Sequence, residues 1–131
     1  MRTVARELGA TYALNEVVLD TLVLQKGKLQ RRILSVPEHE HPVGGQLMGS
    51  RPETFGLAAR EMVRAGYDIV DINFGCPVNK VLGRHRGGWL LQDVETALAM
   101  VEAVLQAVQG DAPVSVKMRR GTDDSPDAEK R

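Results

Sequence analysis

The period of apolar and polar positions changes several times along the chain, and each change marks an element boundary. Arg2–Leu8 has helical character and stops at Gly9, a residue suited to the position after a helix. No capping residue precedes it, so the chain is expected to begin inside an element rather than before one. Tyr12–Leu19 is an apolar run with β-branched residues, broken by Asn15 and Glu16, and predicts a buried strand. Asp20 is placed to cap a short helix through Gln25. Lys26–Pro42 is polar and carries Pro37 and Pro42, which predicts an irregular excursion.

Val43–Met48 predicts a second strand. Ser50 and Glu53 have capping-box spacing, and Pro52 suits the first turn of a helix that runs to about Ala65 and ends at Gly66. Asp68–Asn73, rich in Ile and Val, predicts a third strand. Gly75–Gly88 predicts a loop, or a loop with one short turn. Asp93 is a plausible cap for the strongly apolar helix Val94–Val108, which Gly110 ends. Val114–Met118 predicts a fourth strand, and the charged stretch Arg119–Arg131 a loop. Helices and strands thus alternate, which implies βα units and a parallel sheet with right-handed crossovers. An open doubly wound sheet and part of a (β/α)8 barrel both fit, although a whole barrel takes about 250 residues. No GxGxxG follows any strand, so a dinucleotide fold has no support.

Composition narrows the picture. With 131 residues the chain is one ordinary domain. Its 17 basic and 17 acidic residues cancel, so a nucleic-acid partner would have to be met by local clusters of positive charge. The single cysteine excludes an intrachain disulfide framework and a multi-cysteine zinc site, and no metal is expected. A lone thiol fits a reducing compartment, as packing filler or as a reactive group. No apolar stretch reaches bilayer length, and MRTVARELGA has no apolar signal region, so the expected location is the cytoplasm.

Strand parity gathers the candidate chemistry. Side chains alternate between faces along a strand, so Ser115, Lys117 and Arg119 share one face, and Val114, Val116 and Met118 the other, expected to pack under helices. Ile69, Asp71 and Asn73 share a face of the third strand, and Gly44, Gln46 and Met48 a face of the second. Gln46, Asn73 and Lys117 each stand near the carboxyl end of a strand, where α/β folds place ligands. Beyond Asn73, Gly75 permits an unusual turn and Pro77 fixes the chain direction, which would hold Cys76 at the mouth of the sheet. Lys80 and the run Arg84-His85-Arg86 lie close in sequence.

The stretch Asp71-Ile72-Asn73-Phe74-Gly75-Cys76-Pro77-Val78-Asn79-Lys80-Val81 resembles the signature of the tRNA-dihydrouridine synthases. Gln46-Leu47-Met48-Gly49-Ser50, Gly87-Gly88-Trp89-Leu90-Leu91 and Val116-Lys117-Met118-Arg119 are similar to further motifs of that family, in matching order. Asn15-Glu16-Val17-Val18 matches less distinctively. The resemblance implies an FMN-binding TIM barrel, here as a partial (β/α)8 TIM barrel of about four parallel strands with intervening helices. The family's first strand, its later strands and its helical tRNA-binding domain are absent from the matched region, so the chain is expected to be a fragment or truncated product that retains FMN weakly or not at all. The implied activity is reduction of the C5–C6 double bond of uridine in tRNA, with NADPH as reductant of FMN.

The resemblance also assigns roles. Gln46 and Lys117 would contact the flavin, Asn73 and Arg119 would hold the target uracil, and Cys76 would donate the proton to C5. A thiol with an ordinary pKa of about 8.5 is mostly protonated near neutrality, which suits that task. The loop at Arg84 and Arg86 would meet tRNA phosphate or simply face water, and it departs from the glycine-rich version expected there. Two alternatives stay open: an FMN-dependent dihydroorotate or dihydropyrimidine dehydrogenase, and a non-catalytic truncated half-barrel.

Overall fold

The computed structural model of the chain describes residues 1–121 and is an α/β half-barrel, with parallel strands inside and helices on the outer face. Its elements are α1 (Arg2–Glu7), β1 (Ala13–Leu14), β2 (Val18–Leu19), α2 (Asp20–Leu24), α3 (Lys28–Ile33), β3 (Val43–Met48), α4 (Pro52–Arg64), β4 (Ile69–Phe74), α5 (Asn79–Leu82), α6 (Val94–Val108) and β5 (Val114–Met118). Short three-ten segments occupy Glu38–Glu40 and Gly87–Gln92. The strands run β1-β3-β4-β5, β2 also pairs with β3, and every pair is parallel.

The core lies between β3 and β4 and the two long helices. On α4, Phe55, Ala58, Ala59 and Met62 are fully buried at helical spacing, and on α6 so are Met100 and Val104, with Val108 nearly so. They pack with Leu47, Val70 and Ile72 from the outward faces of the strands. Burial of each large apolar side chain stabilises the fold by about 1.5–3 kcal/mol. The two helices meet at Gly56, where a Cβ would lie 2.8 Å from the carbonyl oxygen of Ala103, so only glycine permits this approach. Asp93 caps α6 by accepting from the Thr96 amide at 3.2 Å, as its sequence position predicts.

The structure revises several expectations. The strand expected over Tyr12–Leu19 is two short pieces. Leu14 pairs with Gly44 and Val18 with Leu47, so Asn15, Glu16 and Val17 stand opposite only Gly45 and Gln46. This is a one-residue bulge. The Asn15 side chain repairs the ladder there, accepting from the Gln46 amide at 2.7 Å and donating to the Tyr67 hydroxyl at 3.2 Å. Asp20 is the first residue of α2 rather than its cap, and it is buried, accepting from the Thr21 amide and the Thr54 hydroxyl.

The excursion over Lys26–Pro42 contains helix α3, whose helix-forming Lys, Leu, Gln and Arg outweigh the flanking turn residues. The capping box at Ser50 does not form: Arg51 takes the cap position with no side-chain bond, while Pro52 starts the helix as expected. Of the apolar face of β5 only Val114 packs against the core, and Val116 and Met118 are exposed. Of the loop expected over Arg119–Arg131, the part from residue 122 lies outside the described residues.

Candidate functional site

The helices take the outward faces of β3 and β4, which leaves the inward faces to polar residues. Register then lines these up across strands: Gln46 pairs with Asp71 and Asp71 with Ser115, and two residues further along, Asn73 pairs with Lys117. The side chains form one hydrogen-bonded chain. The Ser115 hydroxyl donates to Asp71 Oδ1 at 2.5 Å, and Gln46 Nε2 donates to Asp71 Oδ2 at 2.6 Å. Asn73 Nδ2 donates to Gln46 Oε1 at 3.0 Å. Asn73 Oδ1 in turn accepts from the amides of Gly75 at 3.2 Å and Cys76 at 3.1 Å.

Cys76 therefore sits just past the carboxyl end of β4, half-buried, with its backbone fastened to the polar row. A second clamp comes from the far side of the loop. The Gly88 amide donates to the Cys76 carbonyl at 3.0 Å. Gly87 adopts φ +59°, and a Cβ there would come within 2.8 Å of Cys76 Cβ, so the glycine pair is what lets this loop press against the cysteine. Leu90, two residues on, is buried and anchors the loop in the core.

Lys117 stands on the exposed strand β5, and Arg119 just past its end. Arg119 Nε donates to the Gly75 carbonyl at 2.7 Å, which ties the end of β5 to the cysteine turn. The Lys117 side chain, beside Asn73, makes no hydrogen bond or ion pair among the described residues. Around the loop, Lys80, Arg84 and His85 are exposed, and the His85 ring stacks on Trp89 with centroids 4.1 Å apart. Deeper on the inner face, burial and then the charge of Asp71 push the Tyr12 phenol above its ordinary range.

All five residues singled out in the sequence thus meet at one place: Gln46, Asn73 and Cys76 in one hydrogen-bonded chain, Lys117 alongside, Arg119 on the cysteine turn. Asp71 and Ser115 belong to the same chain and were not singled out. The signal for them was parity, since each shares a face with a chosen residue, but the pairing between strands is a property of the fold. A cavity of about 430 Å³ lies elsewhere, lined by residues such as Arg2, Asn15, Arg32, Glu40 and Tyr67. It includes none of the five, and part of its lining is tied up in internal contacts, among them the Arg2–Glu40 ion pair at 2.8 Å.

A polar row at the carboxyl ends of parallel strands, with a thiol and a lysine beside it, is the arrangement of a barrel-type α/β protein, a class that places its ligands at the strand ends. Residues 1–130 match the family model described as Dihydrouridine synthase (Dus), and the chain belongs to that family. It is similar to the probable tRNA-dihydrouridine synthase of Rickettsia prowazekii (strain Madrid E), with 32% identity over 126 residues, 95% of this chain and 38% of the relative. It is 34% identical over 122 residues to tRNA-dihydrouridine synthase B of Pseudomonas aeruginosa, 93% of this chain and 36% of the relative. To probable tRNA-dihydrouridine synthase 1 of Synechocystis sp. it is 41% identical over 93 residues, 71% of this chain and 26% of the relative. The chain thus spans well under half the length of the relatives it matches. Among the described residues, no helix is long and apolar enough to cross a membrane.

Proposed function

We propose that the chain supplies part of the catalytic barrel of a tRNA-dihydrouridine synthase, which reduces uridine in tRNA with FMN and NADPH in the cytoplasm, and that Cys76 is its proton donor. The observation that carries the reading is the tie of the Cys76 backbone, through Asn73, into the polar row beside Lys117. Membership of the dihydrouridine synthase family supports it over a dehydrogenase of free pyrimidines.

The residues present fit a flavin ring edge. Gln46 bonds one amide hydrogen to Asp71 and one lone pair to Asn73, which leaves one donor and one acceptor to offer. Lys117 offers a positive charge suited to an electron-rich pyrimidine edge. FMN, when bound, would supply the reducing equivalents. The chain's own residues would do the rest. Both lone pairs of Asn73 Oδ1 are taken by backbone amides, so Asn73 has only an N–H to give, the right polarity for a uracil carbonyl. Arg119 bonds Gly75 through Nε, and among the described residues its terminal nitrogens make no bond, so they could serve the same kind of contact. Such donors favour a substrate whose oxygens gain negative charge. Cys76 would hold a proton at Sγ and release it to C5. Lys80, Arg84 and Arg86 would meet tRNA phosphates, and the target base would have to leave the stack at a cost of a few kcal/mol.

Deleting the gene for this chain in its own cell tests the reading. Dihydrouridine at one tRNA position, read by mass spectrometry of tRNA digests, should fall below detection. A full complement at every position would reject it. The exposed outer face of β5 favours a second reading, a non-catalytic half-barrel, which predicts that unchanged complement.

A further inference from the structure

We infer that Asp71 is a positioning residue: its carboxylate sets the amide orientation of Gln46 and Asn73, and through Asn73 it holds Cys76 at the strand mouth. The meaning of this inference rests on Cys76 being the reacting thiol. Its geometry does not. Asp71 is 5% exposed, lies at the centre of β4 and is flanked in register by Gln46 and Ser115. Both of its oxygens are used, one by each neighbour.

An amide side chain can present either its oxygen or its NH2 group, and nothing in its shape decides which. A carboxylate decides, because it only accepts. Gln46 must therefore turn its NH2 group to Asp71, which leaves Oε1 facing Asn73. Asn73 must then turn its own NH2 group to Gln46, and its oxygen is left facing the Gly75 and Cys76 amides. One fixed acceptor in the strand interior thus propagates a single polarity to the cysteine turn. Without it only the two backbone N–H groups of the turn hold this polarity, from one end of the row, and the Gln46 NH2 group loses its acceptor. A buried carboxylate bonded to two neutral donors is costly to keep, and an apolar residue would serve packing alone better.

The lone cysteine makes the test direct, because alkylation by iodoacetamide read by intact mass reports this thiol alone. Asn73→Ala removes the anchor and should speed alkylation of the full chain roughly three- to tenfold, the size a single hydrogen bond carries. Asp71→Ala should give a similar acceleration, and the double variant should match Asn73→Ala rather than multiply the two effects. Asp71→Asn can accept from Gln46 while donating to Ser115, or turn the other way, and should fall between the parent and Asp71→Ala. Should Asp71→Ala fail to fold, Asp71→Leu, which is close to the same size and offers no acceptor, takes its place. It too removes the acceptor of the Gln46 amide and should move the rate toward that of Asn73→Ala. Multiplying effects, a parent-like rate in Asp71→Ala or in its substitute, or a parent-like rate in Asn73→Ala would each overturn the inference. No dihydrouridine is measured, so this result and the proposed function stand or fall separately.

Discussion

β4 and β5 are neighbours, parallel and paired from Val70↔Val114 to Phe74↔Met118, yet they live in different surroundings. Both turn apolar residues outward. On β4 these are Val70, Ile72 and Phe74, at most 4% exposed beneath the helical layer, whereas on β5 Val116 is 40% exposed and Met118 59%. Alternation in sequence therefore tells which face of a strand is apolar, not whether anything covers it. The candidate site straddles the boundary. Its organising half, Gln46, Asp71, Asn73 and Cys76, hangs from the two sealed strands, while its cationic half, Lys117 and Arg119, hangs from the exposed one.

The sharpest way to break this comparison is to truncate both strands. Ile72→Ala should cost about 2–5 kcal/mol in a urea unfolding titration, because it opens a cavity in a close-packed layer. Val116→Ala should cost under about 0.5 kcal/mol, as a surface change does. Equal losses would mean that β5 is as firmly packed as β4. Gly56→Ala comes next: its methyl group would drive α4 off the Ala103 carbonyl and should cost about 1–3 kcal/mol in the same titration. Gly87→Ala should cost about 1–2 kcal/mol for its left-handed backbone, and it should also alter Cys76 alkylation, since the new methyl group meets that residue.

The smallest effect belongs to the amino-terminal end of the sheet, at Asp68. Burial pushes its carboxyl up, but bonds from the Val43 amide and the His41 ring, with the charge of His41, outweigh burial and hold it below its ordinary value of 3.8. A carboxyl depressed in the folded state contributes stability above its unfolded pKa and loses it as pH falls through the folded one. Unfolding titrations below about pH 4 should therefore show a shallower acid loss in Asp68→Asn than in the parent. The side chain is 37% exposed, so solvent screens the effect and the difference should be small.

Much of this was legible beforehand, for identifiable reasons. β3, β4, α4 and α6 carry long, clean periodicities, and their ends are marked by Pro52, Gly66, Asp93 and Gly110. The five candidate residues could be named because parity put Gln46, Asn73 and Lys117 at strand ends and the motifs around Cys76 and Arg119 resembled known signatures. Other features depend on contacts between distant residues. The bulge at Asn15–Val17 appears only once β3 supplies the register, and α3 is masked by the polar, proline-bearing stretch around it. Asp71 looked like an ordinary strand residue until Gln46 and Ser115 closed on either side of it. The failed capping box at Ser50 has the same origin, since the helix start is set instead by Pro52 and by the Thr54–Asp20 bond at 2.6 Å.

The central claim is that this strand-end arrangement presents the Cys76 thiol to a uridine of tRNA. The most direct measurement returns the gene to cells that lack it, in parent form and as Cys76→Ala, and counts dihydrouridine at the affected tRNA position. The account predicts that the parent gene restores the modification and that the alanine form, present at equal protein level, leaves it at a few per cent of the parent or less, the loss expected when a positioned proton donor worth about 100-fold or more is removed. Restoration by Cys76→Ala to the parent level would contradict it.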